Sequence, residues 1–282
     1  MKGLKRIGSI VVMLALVFGL AGVAGPVKQA QAATKKYVMI KGEKAKVSVL
    51  FIGNLTSAKS SKPSVVSVKK FGGNKLKLTA KKAGKATINV RGKYGYGKYN
   101  ITVKNRKLKC VYKGAQIGSY SGYAYYEITN KCGDYMSSAV LKYDIVDANL
   151  NVLKSGEETV YSLVPNAKMY ISVYIGGDLI TQGATAIRVK SYALKHDMML
   201  SYKNLSSKVS VSYNPSSGAV SFKNKYSKYV SARADIVFYD AAGKVVDVQT
   251  VSSYLSGKGK DTKTATTTKQ YSDYKVFKRA YA

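Results

Sequence analysis

The sequence predicts an all-β chain of small two-sheet sandwiches, and three observations carry that prediction. Short runs of alternating apolar and polar residues recur along residues 35–103, among them Leu76-Lys77-Leu78-Thr79 and Ala86-Thr87-Ile88-Asn89-Val90. One longer stretch occurs twice, as EITNKCGDYMSSAVLKYDIVDANLNVL (127–153) and SFKNKYSKYVSARADIVFYDAAGKVV (221–246). Neither copy shows a convincing 3.6-residue periodicity, so strands joined by turns are expected throughout.

Residues 1–32 read as an address and stand outside the fold. Lys2, Lys5 and Arg6 form a basic start, residues 10–23 an apolar run, and Ala30-Gln31-Ala32 a small-residue cleavage site. The apolar run is short for a membrane span, so the mature chain is expected to be exported with no integral membrane segment. The terminal KVFKRAYA has no hydrophobic tail, and retention at the cell surface is expected to be non-covalent.

Residues 33–104 form the first predicted module. Alternation places strands at Val47-Ser48-Val49, 65–68, 76–79, 86–90 and 99–103, with Val, Ile and Leu on one face and Lys, Ser, Thr and Asn on the other. The stretches SSKPSVVSV (60–68) and AGKATINV (83–90) resemble the bacterial immunoglobulin-like group 2 domain, whose pattern has a Ser-x-x-Pro-x-Val-x-x-Val strand and a later Ala-Gly-x-Ala-x-Ile-x-Val strand. The chain departs from that pattern in having no aromatic residue before Ser60-Ser61 and a basic run, 75–82, where a glycine turn is usual. The resemblance implies a secreted or surface module without catalysis, and hence tandem immunoglobulin-like β-sandwiches after a cleaved signal peptide.

After a polar linker at 105–109, copy one is expected at 106–195 and copy two at 196–282. Their opening strands are Lys109-Cys110-Val111-Tyr112-Lys113 and Leu200-Ser201-Tyr202-Lys203; their closing strands are 187–192 and 276–281. Ile236-Val237-Phe238-Tyr239-Asp240 loosely resembles the extracellular sandwich family named for its Phe-x-Leu-Tyr-Asp strand, and Tyr143–Asp147 keeps only the final Asp.

Charge is the outstanding feature: 47 Lys and Arg against 14 Asp and Glu, a formal +33. The first module alone holds 18 bases and a single acid, Glu43. With the apolar sides buried, these bases are expected to make one side of the module a platform for polyanions. Their density picks out Lys69, Lys70, Lys75, Lys77, Lys81 and Lys82. The segment KYGYGKY adds Tyr94, Tyr96 and Tyr99 as candidate aromatic contacts, against the plainer role of strand filling.

The chemistry of catalysis finds little footing. His196 is the lone histidine, expected as a solvated linker residue, and no His or Cys pair has metal-ligand spacing. Glu157-Glu158 point to opposite faces of a strand. Asp147 and Asp240 each open a turn, where a carboxylate caps backbone N–H groups. Gly72-Gly73-Asn74 and Gly176-Gly177-Asp178 read as hairpin turns. Cys110 and Cys132 allow one disulfide, contributing about 3 kcal/mol, or two reduced thiols; Tyr226 at the position of Cys132 in copy two does not decide between them. No cofactor is expected. The leading expectation is a non-catalytic surface protein for anionic cell-wall polymer or glycan. The alternatives are an extracellular nucleic-acid binder and a wall- or glycan-acting enzyme or its accessory region.

Overall fold

The computed structural model describes residues 30–31, 34–50, 52–198 and 202–282. The signal peptide read at 1–32 lies outside them apart from Ala30 and Gln31. The chain is all-β: twenty strands accompany one five-residue helix and a 3-10 turn among the described residues.

The described residues up to Arg106, with Asp197 and Met198, form one compact unit. It contains β1 (Ala30–Gln31), β2 (Lys35–Ile40), β3 (Lys44–Ser48), β4 (Leu55–Ser60), β5 (Val66–Lys70), β6 (Lys75–Ala80), β7 (Gly84–Gly92) and β8 (Gly95–Lys104). Antiparallel strands β8, β7 and β4 form one sheet, with β1 and β2 both running parallel to β8; β3, β6 and β5 form the other, in that order. The two sheets bury Val47, Leu76, Leu78, Ile88 and Ile101 between them, and Met198 joins this core. Strands β2 and β4 have no counterpart in the sequence pattern. In β2 the final Met39-Ile40 pair is buried at consecutive positions, which erases period-two alternation.

The second unit runs from Lys107 to His196 and through the described residues after 201. Its first copy comprises β9 (Leu108–Ile117), β10 (Ser121–Asn130), β11 (Met136–Asp147), β12 (Val152–Leu163), β13 (Lys168–Gly176), α1 (Gly177–Thr181) and β14 (Ala184–Lys195). Its second comprises β15 (Val209–Asn214), β16 (Ala219–Asn224), β17 (Val230–Tyr239), β18 (Val245–Leu255), β19 (Lys260–Thr264) and β20 (Asp273–Tyr281). The topology repeats strand for strand: β13-β10-β9 with β12-β11-β14, then β19-β16-β15 with β18-β17-β20.

The repetition reaches individual side chains. Asn130 donates through Nδ2 to the carbonyls of Asp134 and Leu163 and accepts the Cys132 N–H through Oδ1. Asn224 donates to Lys228 and Ser256 and accepts the Tyr226 N–H. Asp147 and Asp240 cap their turns as the sequence suggested: each Oδ1 accepts two backbone N–H groups, from Asn149 and Asn151 and from Ala242 and Lys244. The counterpart of β9 is β15, not the stretch at 200–203: Tyr202 and Lys203 lie outside any strand, and 200–201 fall outside the described residues. Gly176-Gly177-Asp178 leads into α1 instead of a hairpin turn, whereas Gly72-Gly73 does join β5 to β6, both with positive φ.

The two copies are pressed into four layers. The sheet of β9, β10 and β13 is covered on both sides: Tyr126 donates its hydroxyl to the Ile187 carbonyl of its own copy, while Tyr125 and Tyr170 pack on Val237 and Val245 of the other. The sheet of β17 is likewise covered twice, since Ile236 and Phe238 face Phe222 while Val237 faces Tyr125.

Candidate polyanion-binding faces

Because alternation operates in both sheets of the first unit, its bases divide between two outer faces instead of forming one platform. On the β3-β6-β5 face, Lys46, Lys77 and Lys69 are direct cross-strand partners and form a row of three cations. Side chains so paired stand about 4.5–5.5 Å apart at Cβ. Exposed Lys75 follows two residues along from Lys77, and Lys46 Nζ lies 4.7 Å from the Phe71 ring centroid.

The predicted lysines are only partly brought together. Lys69, Lys75 and Lys77 share this face, and Lys81 continues the β6 alternation just beyond the strand end. Lys82 is exposed in the loop before β7. Lys70 departs from its neighbour: its Nζ reaches across to the carbonyls of Thr56 and Leu55, at 3.1 and 3.4 Å.

The opposite face, on β2, β8, β7 and β4, carries bases that local density did not single out. Its cross-strand rows are Lys85 with Thr102; Lys36, Asn100 and Thr87, reaching Ser61; Lys98, Asn89 and Lys59; and Tyr96, Arg91 and Ser57. The signal was available in β7: residues 85, 87, 89 and 91 are the polar half of its alternation. Two grooves indent this face. One, of about 540 Å³, is lined by Lys36, Ser61, Lys62, Lys85, Thr87 and Asn100. The next, of about 500 Å³, is lined by Thr56, Asn89, Arg91 and Tyr96.

The bases of these rows have no acid beside them among the described residues. Glu43, the one acid in 34–104, turns its carboxylate to the Ile40 N–H at 2.8 Å. Among the described residues, no carboxylate lies in ion-pair range of Lys46, Lys69, Lys75 or Lys77, or of Lys36, Lys59, Lys85, Arg91 or Lys98. Like charges opposite each other across strands destabilise a sheet; a bound polyanion would remove that cost.

The three candidate tyrosines separate. Tyr94 sits at the β7–β8 turn, 62% exposed, with Lys93 Nζ 5.2 Å from its ring centroid. The turn is held against the loop below by the Tyr94 N–H donating to the Ile52 carbonyl, and Gly92 is required beside it because an added Cβ would come 2.1 Å from that carbonyl oxygen. Tyr96 faces the second groove. Tyr99 is no surface contact: one residue position out of phase with Tyr96 and Lys98, it is buried in the core against Tyr37, and burial, with the neighbouring Tyr37 phenol, pushes its own up to about 12.

Several acids of the second unit are held in local hydrogen bonds and ion pairs. Asp144 accepts from Lys190 and Ser155, Glu127 from Lys168 and Tyr170, and Asp235 from Arg279, Tyr170 N–H and Thr250. Glu157, half-exposed, pairs with Lys142. His196 is not a solvated linker residue: its side chain is almost fully buried, with Nε2 3.5 Å from Asp134 Oδ2.

No disulfide joins Cys110 to Cys132. Cys110 pairs across β10 with Ile128, whereas Cys132 Sγ accepts the Lys107 N–H at 3.2 Å. Cys132 therefore sits beside Lys107, just before β9, and not beside Cys110, which faces Ile128. Burial pushes the Cys110 thiol up to about 11, leaving it a poor nucleophile at neutral pH. It lines an apolar groove of about 500 Å³ with Leu108, Tyr112 and Tyr126.

Among the described residues no helix is long and apolar enough to cross a membrane. No protein family matches the chain. No curated protein matches it either. Among solved structures it is similar to SGBP-B of the Bacteroides ovatus mixed-linkage glucan utilization locus, in complex with a mixed-linkage heptasaccharide, at 9% identity and a TM-score of 0.23, over 58% of this chain and 52% of that one. It is also similar to dimeric latent PorU from Porphyromonas gingivalis, at 10% identity and a TM-score of 0.13, over 87% of this chain and 29% of that one. The chain thus spans about half the length of the first and under a third of the second, and at these scores neither likeness informs the function.

Proposed function

We propose that this is an exported, non-catalytic protein that holds anionic cell-wall polymer or anionic glycan at the cell surface through its first sandwich. The observation that carries this reading is the pair of outer faces with bases in successive cross-strand rows, where Lys46, Lys69, Lys77, Lys36, Lys59, Lys85, Arg91 and Lys98 have no carboxylate in ion-pair range among the described residues. Eighteen bases against one acid in a module of this size produce a field that attracts polyanions and is screened by salt. The resemblance of residues 60–90 to a bacterial immunoglobulin-like module supports the same address, as does the basic, apolar and small-residue sequence of 1–32.

The test is to fractionate producing cells before and after a high-salt wash, and to titrate purified mature protein with wall polymer at increasing ionic strength. Wall-associated protein released by salt is expected, with log affinity falling linearly against log salt. Protein found free in the medium, or binding indifferent to salt, overturns the reading. Hydrolysis of wall or glycan by the purified protein, abolished by changing one acid, overturns its non-catalytic part.

A further inference from the structure

We infer that the grooved face of β2, β8, β7 and β4 is a track for one chain of a polyol-phosphate polymer, a phosphodiester chain without bases; this rests on the polyanion reading above. The outward positions of β7, at 85, 87, 89 and 91, run through both grooves in succession: Lys85 and Thr87 line the first, Asn89 and Arg91 the second. Six residue steps of strand cover about 20 Å. Every row along that length presents at least one cation: Lys85, then Lys36, then Lys98 and Lys59, then Arg91. Rows recur every two residues, so the face offers a repeating charge to a repeating ligand.

The polar groups between the cations are suited to acceptor oxygens. Asn100 Oδ1 accepts from the Thr87 hydroxyl at 3.0 Å, so what Asn100 has to offer a ligand is its amide N–H groups, and Ser61 Oγ already accepts the Thr87 N–H and retains its own O–H. Ammonium, amide and hydroxyl donors, with no Asp or Glu in these four rows, match phosphate oxygens. All the bases but Arg91 are lysine, a point charge on a flexible stem and not the planar fork that pairs bidentately with carboxylate. A nucleic acid would need stacking surfaces for its bases, yet Tyr96 is the one aromatic side chain in these four rows. The β3-β6-β5 face has comparable charge, but its lysine row is not set in either of these grooves.

The experiment uses the full mature chain, with poly(glycerol phosphate) fractionated into short and long chains as the probe. Single-stranded DNA, dextran sulfate and polygalacturonate of matched charge are the competitors. Two charge-matched variants are compared: K36Q/K85Q/K98Q on the track and K46Q/K69Q/K77Q on the other face. The track variant is expected to lose affinity by about tenfold or more and to flatten the salt slope by about 2, the share of three cations against a single strand. The other variant should keep most of both, and wild type should prefer long chains to short ones, since linked contacts raise affinity. K36R/K85R/K98R should restore binding.

Equal losses in the two Gln variants, or DNA binding as tightly as poly(glycerol phosphate), would overturn the track while leaving the broader reading standing. No binding of any polyanion by wild type would overturn both. Hydrogen exchange on wild type with and without the long chain gives a readout free of variants: protection should centre on β7 and β8, and protection confined to β5 and β6 would refute the proposal.

Discussion

The backbone N–H of Tyr170, on β13 of the first copy, donates to the Asp235 carboxylate on β17 of the second at 2.9 Å, tying the two repeats together inside the protein. Asp235 is completely buried, and Arg279 beside it is 2% exposed. Each charge is therefore held by its partners and by little solvent. A buried ion pair of this kind is weak evidence of net stability, but breaking it leaves an uncompensated charge.

Asp235→Ala is accordingly expected to destabilise the second unit by about 3–5 kcal/mol, because the Arg279 guanidinium and the Tyr170 N–H lose their acceptor together. The double change Asp235→Leu with Arg279→Met should recover much of that loss. Urea denaturation measures both. A single variant within about 0.5 kcal/mol of wild type, the usual range of an inconsequential surface change, would refute the role given to this pair.

Asn130 and Asn224 predict a matched pair of losses. Each amide donates to two backbone carbonyls, one in the loop that follows it and one at the end of β12 or just past β18, and each asparagine is 1% exposed. Alanine at either position leaves buried carbonyls without a donor, at about 1–3 kcal/mol. The two variants should lose similar amounts in chemical denaturation. A large loss in one copy with none in the other would show that the repeat shares its sequence there but not its energetics.

These two asparagines mark what the sequence made legible. A repeated local role leaves a repeated local motif, so the Asn-Lys pairs and the Asp-led turns located the duplication and its turn chemistry. Copy packing was hidden, because Tyr125 and Val237 stand at positions that read equally well as solvent-facing strand or as a second buried face. The basic surface was visible as composition but not as geography. Lys69 and Lys70 are neighbours in sequence, yet one joins the cationic row and the other reaches to β4. Lys46, Lys77 and Lys69 meet only through strand pairing, which composition does not encode.

That row predicts a trade between stability and binding. Lys77 stands between two like charges, so Lys77→Thr should stabilise the first unit by about 0.2–1 kcal/mol, with threonine introducing a β-branched side chain suited to a strand. The gain should shrink as salt is raised toward 1 M, where the screening length is about 3 Å. Thermal denaturation at low and high salt provides the measurement. A gain independent of salt would assign the effect to strand propensity, and a loss would show that Lys77 makes a contact that outweighs the repulsion.

Acid should unfold the second unit and leave the first comparatively untouched, because the first holds two acids, Glu43 and Asp197, and the second holds the other twelve. The Lys190 ammonium, with the Ser155 hydroxyl and against the effect of burial, holds the Asp144 carboxyl below its ordinary 3.8; the Asn151 amide does the same for Asp147, and Ser253 with Lys263 for Asp261. For Glu127 burial pushes upward, but hydrogen bonds from Lys168 and Tyr170 win and the net direction is down. A carboxyl depressed in the folded state contributes stability that is present above its unfolded value and lost as pH falls through the folded one. Glu158, raised by burial, acts in the opposite sense, and the depressed groups outnumber it. The expected result is a urea midpoint for the second unit that drops below about pH 4, with the drop made shallower by Asp144→Asn. Hydrogen exchange at neutral and acid pH, resolved by strand, distinguishes the units: protection lost first from β2 to β8, or equally from both units, would contradict the assignment.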